Sequence, residues 1–156
     1  PAKRRTYAGT TLLKLDHPRL LSRAVAESTR ALHLYQQQPD TERSSGDVLA
    51  AHLDLASAYV RTDEPEAAEP HLTTVAQTPP TRCTASIQAR IRRFAHELAA
   101  TPAGHSTVGL QMLGTSQAVL SSHPSPHQHP WVEGGLPAAD CRERCAHHEP
   151  GARQWA

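Results

Sequence analysis

The chain has 156 residues, a formal net charge of +1, 38% apolar residues and 4% aromatics. A charge this small argues against a strongly basic nucleic-acid arm, and no run of about 18 apolar residues or basic-then-apolar start marks a membrane span or signal peptide. Three cysteines, Cys83, Cys141 and Cys145, do not make a disulfide framework, so a reducing, cytoplasmic setting is expected.

Taken in order, residues 2–100 read as helices, with apolar residues recurring every three or four positions and no alternating β-branched run. A first helix is expected over 2–15. Asp16 then resembles an N-cap with Pro18 in the first turn behind it, and a second helix reaches about residue 37. Its inward stripe is Leu21, Ala24, Val25, Leu32 and Tyr35. Residues 40–46 read as a polar loop. A third helix covers 47–62, with Leu49, Leu53, Ala56 and Val60 on one face. Asp63 and Glu66 form a capping-box pair opening a fourth helix to about residue 77, with Ala68, Leu72 and Val75 inward and Pro70 early in it. A fifth helix spans 84–100. Its Ile87, Ile91, Phe94 and Leu98 form the cleanest amphipathic stripe in the chain.

Glycine and proline then become dense: 9 fall in residues 1–100 and 12 in 101–156. A boundary is therefore expected near Pro102. Residues 101–156 are expected to be a low-order, disordered tail with at most a residual helix near 105–120. Arginine outnumbers lysine 14 to 2 and asparagine is absent, which fits a GC-rich genome. A Pro-, Arg- and His-rich tail is also what out-of-frame or read-through translation of such DNA yields. The chain opens on Pro1 rather than Met, as a fragment of a longer protein would.

An internal repeat is visible. The segment from Ala8 to Pro18 aligns with that from Leu55 to Pro65 at an offset of 47. Gly9 pairs with Ala56, Leu12 with Tyr59, Leu13 with Val60 and Lys14 with Arg61, and an Asp-x-Pro breaker closes both. Each copy is a helix, a tight turn and a second helix, so stacked helical hairpins are expected.

The second copy resembles a tetratricopeptide repeat. Leu55, Ala56 and Tyr59 match the first-helix pattern of that family, Ala68, Leu72 and Val75 the second, and Pro80 the closing proline. His52 replaces the frequent Trp and Asp63 the frequent Gly. In the first copy Gly9, Leu12 and Leu21 fit, but the second helix is too long and the offset exceeds the usual 34 or so residues. Residues 47–98 are also similar to the C-terminal repeat region of actinobacterial helix-turn-helix regulators. The phrases that carry this are Leu53-Asp54-Leu55-Ala56, Pro65-Glu66-Ala67-Ala68 and Thr84-Ala85-Ser86-Ile87, followed by Ile91-Arg92-Arg93-Phe94. The resemblance implies a sensing or dimerisation module without its DNA-binding domain. It implies a protein or peptide partner, or a second copy in a homodimer, and no direct nucleic-acid contact by this fragment.

In the family alignment Lys14 and Arg61 fall on the first-helix face that lines the concave groove, with Thr10, Leu13, Ser57 and Val60. Two stacked cations there could receive a carboxylate, such as a peptide C-terminus. The plainer reading is a pair of exposed helix cations. The set Arg82, Arg90, Arg92 and Arg93 could meet phosphates, but Arg90 and Arg93 stand at helical spacing from Glu97 and read as a solvated polar face. The alternative function is metal binding by Cys141, Cys145 and His148, whose spacing would place them on one helix face. Its plainer reading is a solvated tail. No G-x-S-x-G, phosphate-cradling loop or H-E-x-x-H occurs, so neither an enzyme nor a cofactor is expected.

Overall fold

The structure, a computed structural model, describes residues 1–122. Among them are six α-helices and no strand. These are α1 (Ala2–Lys14), α2 (Pro18–Gln36), α3 (Ser45–Arg61), α4 (Pro65–Ala76), α5 (Ala85–Ala99) and α6 (Thr107–Ser121). Short 3-10 turns, Pro80–Arg82 and Pro102–His105, precede α5 and α6.

α3 is the central element. It packs against α1, α2, α4 and α5, and α6 closes over α4 and α5. Its sequence explains this position. Leu49, Leu53, Leu55 and Val60 are buried, and so are Ala50, Ala51, Ala56, Ser57 and Ala58 between them. Small residues on every side let neighbouring helices approach all round it. Ala24 of α2 meets Ala58 and Leu13, while Ala31 and Tyr35 meet Ala51 and Ala2. The predicted stripes of α4 and α5 are buried as read, from Ala68, Leu72 and Val75 to Ile87, Ile91, Phe94 and Leu98. In α2, Ala24 and Tyr35 are buried while Leu21, Val25 and Leu32 are partly so.

Both Asp-x-Pro turns differ from the capping expected of them. Asp16 and Asp63 adopt left-handed backbone, with φ of 47° and 61°. That conformation closes the preceding helix rather than capping the next. At the end of α3 the Asp63 N–H donates to the Val60 carbonyl (3.2 Å) and the Glu64 N–H to the Tyr59 carbonyl (2.8 Å). This is the double bond of a Schellman closure, in which glycine is the usual left-handed residue. A residue held there is not in the extended backbone of an N-cap. α2 is instead capped by His17, whose Nδ1 accepts the Arg19 N–H at 3.2 Å. Glu64 precedes α4 without a side-chain cap, so no Asp63–Glu66 capping box forms.

Two boundaries also move. Ser44 accepts the Asp47 N–H and starts α3 inside the stretch read as loop. The helical array runs past Pro102 as well. Ser106 caps α6 by accepting the Gly109 N–H at 3.0 Å, and Met112 joins the core built by α3, α4 and α5. The buried positions of α6 are Gly109, Met112 and Ser116, two of which carry no hydrophobic signal. A Cβ on Gly109 would collide with the Ala103 carbonyl, and one on Gly104 with that of Leu98. Gly104 and Gly109 thus mark close packing rather than the end of the fold. The remainder of the expected tail, residues 123–156, lies outside the described residues.

Candidate functional site

The first helix of each pair, α1, α3 and α5, meets its neighbours through two polar rungs. The inner rung centres on Asp54, which is 2% exposed. It accepts the Thr10 hydroxyl of α1 at 2.5 Å and the Arg90 guanidinium of α5 at 2.9 Å. Burial pushes the Asp54 carboxyl above its usual range, opposed by the Thr10 hydrogen bond and the Arg90 and Arg93 charges. The outer rung centres on Arg61. Its Nη1 donates to the Leu13 carbonyl (2.9 Å) and to Asp16 (3.0 Å), and its Nη2 to Glu97 (3.0 Å).

Both α3–α5 ion pairs span 36 residues of sequence, and their members lie seven apart on each helix. α3 carries acid then base, and α5 carries base then acid. Two turns separate positions seven apart, so the rungs repeat on one face and set the two helices parallel in a single register.

An open cleft of about 250 Å³ lies beside the outer rung, lined by Leu13, Lys14, Asp16, Ser57, Arg61, Arg93 and Glu97. The sequence-predicted groove is brought together only in part. Leu13, Lys14, Ser57 and Arg61 reach the cleft. Thr10 turns inward to Asp54, and Val60 belongs to the core. Arg61 is spent on two carboxylates and a carbonyl. Beside it Arg93 also lines the cleft, 46% exposed and 3.7 Å from Glu97. The sequence reading grouped Arg93 with a solvated face. The available signal was its position four residues before Glu97, on a helix whose Arg90 and Glu97 mirror the signs of Asp54 and Arg61.

A second polar cluster joins α3 to α4. His52 and His71 bring their Nδ1 atoms to 3.0 Å, and the Tyr59 ring stacks on His71 with centroids 5.8 Å apart. One imidazole must donate and the other accept, so the two cannot both be cations. Burial, and secondarily the proximity of His71, pushes His52 down to about 4, and burial pushes His71 down.

Among the described residues no group of three or more His, Cys, Asp or Glu could hold a metal ion, and no helix is long and apolar enough to cross a membrane. The metal set Cys141, Cys145 and His148 lies outside the described residues. Cys83 is a buried thiol pushed up by burial, the opposite of what a nucleophile needs. The chain matches no protein-family model, no curated protein and no solved structure.

Proposed function

We propose that the protein is a peptide- or protein-binding module built on tetratricopeptide-like stacking, and that it serves as the sensing or dimerisation part of a transcriptional regulator. It acts by binding and not by catalysis. The observation that carries this reading is the cleft at the outer rung. There α1, α3 and α5 stand side by side, with Lys14 and Arg93 on its rim and an acid–base pair as its floor. Lys14 is exposed, so it can close on an incoming carboxylate at little cost in desolvation.

The test is a peptide library displayed with free C-termini and panned against the full chain. The wild type should enrich a carboxylate-bearing sequence family, and a Lys14→Glu/Arg93→Glu variant of unchanged helicity should lose it. Absence of enrichment, or equal enrichment by the variant, counts against the reading. Arg61 is left intact in this design, because its three internal bonds make its replacement a stability experiment.

A further inference from the structure

The net charge of +1 conceals a separation along the chain. Residues 1–37 hold seven lysines and arginines against two acids, a formal charge of +5, while residues 38–122 hold six against nine, a charge of −3. Both acids of the first segment are already engaged. Glu27 pairs with Arg5 at 2.8 Å and Asp16 with Arg61 at 3.0 Å. Among the described residues Arg4, Arg19, Arg23 and Arg30 are exposed and have no ion-pair partner.

Helical spacing collects these cations on one surface. An open pocket of about 400 Å³ between α1 and α2 is lined by Arg4, Tyr7, Thr11, Arg23 and Glu27 over a floor of Ala8 and Leu12. Arg19 stands one turn before Arg23 and Arg30 two turns after it, on the same face of α2. Arg19 to Arg30 thus makes a basic strip about 16 Å long at the 1.5 Å helical rise. Across the pocket from the strip, on α1, Tyr7 is 55% exposed, with the Lys3 ammonium 5.8 Å from its ring centre. The ring shares its pocket with the Arg4 and Arg23 guanidiniums, so a planar base joined to phosphates could use the ring and both charges together.

We infer that this outer face of α1 and α2 binds single-stranded nucleic acid, with phosphates on Arg4, Arg19, Arg23 and Arg30 and one base on Tyr7. An acidic peptide would satisfy the same cations but would leave the ring unused. The surface is separate from the cleft between α1, α3 and α5, so the two readings stand or fall independently. It departs from the expectation of no direct nucleic-acid contact that the regulator resemblance implied, and the small overall charge averages two oppositely charged segments.

The test is fluorescence anisotropy of the full chain with a labelled single-stranded DNA 12-mer and the RNA of the same sequence. The two strands differ only in the sugar and in the methyl group of each thymine, so their ratio identifies which is preferred. With about four phosphates engaged, affinity should fall about 50-fold between about 50 and 200 mM salt. Arg19→Glu/Arg23→Glu should weaken binding at least tenfold. Arg82→Glu/Arg92→Glu, which changes the net charge equally but in α5 and the turn before it, should stay within twofold. Tyr7→Ala should cost about tenfold with the salt slope unchanged, and Tyr7→Phe should restore binding. The inference is overturned by failure of both strands to bind at low salt, or by indifference to Arg19→Glu/Arg23→Glu. It is also overturned if poly-L-glutamate of equal charge displaces the strand as well as unlabelled strand does, which would assign the surface to an acidic protein.

Discussion

Asp54 of α3 and Arg90 of α5 form an ion pair at 2.9 Å whose carboxylate is 2% exposed while its guanidinium retains 22% exposure. The asymmetry decides what each substitution does. Asp54→Ala strands the Thr10 hydroxyl inside the protein but leaves Arg90 able to turn to water. A cost of about 2–3 kcal/mol is expected, below that of a fully buried pair. Arg90→Ala leaves the buried carboxylate with Thr10 alone and should cost at least as much. Urea unfolding of both single variants and the double variant gives the coupling energy. Strict additivity would show that the rung does not hold α3 to α5.

The His52–His71 pair makes stability depend on pH with a definite sign. In the unfolded chain each imidazole takes a proton near pH 6.5. In the folded protein His52 resists protonation until about 4 and His71 is also shifted down. Below pH 6.5 the unfolded state therefore binds more protons, and stability falls as pH drops from about 6.5 towards 4. Thermal unfolding across that window should show a melting temperature that declines in the wild type and declines less in His52→Gln/His71→Gln. Parallel pH profiles would remove the pair from the account.

Asp63 bears the strain of its left-handed backbone with no ion pair among the described residues to offset it. Asp63→Gly should stabilise the fold by about 0.5–1 kcal/mol, the relief of φ strain exceeding the entropy glycine adds to the unfolded chain. Asp16 shares the conformation but also binds Arg61, so Asp16→Gly should gain less or lose stability. Chemical denaturation of the two variants side by side measures the difference.

Two glycines of α6 have opposite surroundings. Gly109 rests on the Ala103 carbonyl, whereas a Cβ on Gly114 meets nothing within 4 Å. Gly109→Ala should destabilise by about 1–3 kcal/mol through forced separation of α6 from the preceding turn. Gly114→Ala should stabilise by up to about 1 kcal/mol through helix propensity alone. Equal effects in thermal unfolding would mean that α6 is not docked as described.

Helices α2 to α5 were legible in the sequence because each couples an apolar period of three or four to a breaker, Pro18, Pro39, Asp63 with Pro65, or Pro79-Pro80. α6 was legible only as a weak residue of order, because it packs through Gly109 and Ser116 and hydropathy does not see contacts made by small residues. Asp-x-Pro named the turns but not the role of the aspartate, since the same residue type suits an N-cap and a left-handed closure.

The sequence by itself determined an all-helical chain and the excess of positive charge in its first 37 residues, both of which follow from local spacing and composition. Only the tertiary structure decided which charges meet. Asp54 and Arg90, and Arg61 and Glu97, are 36 residues apart, and a separation that long carries no pairing information until α3 and α5 settle in register. The same packing bound Arg61 to two carboxylates, brought Arg93 to the cleft beside it, and left the cations of α1 and α2 facing outward around Tyr7.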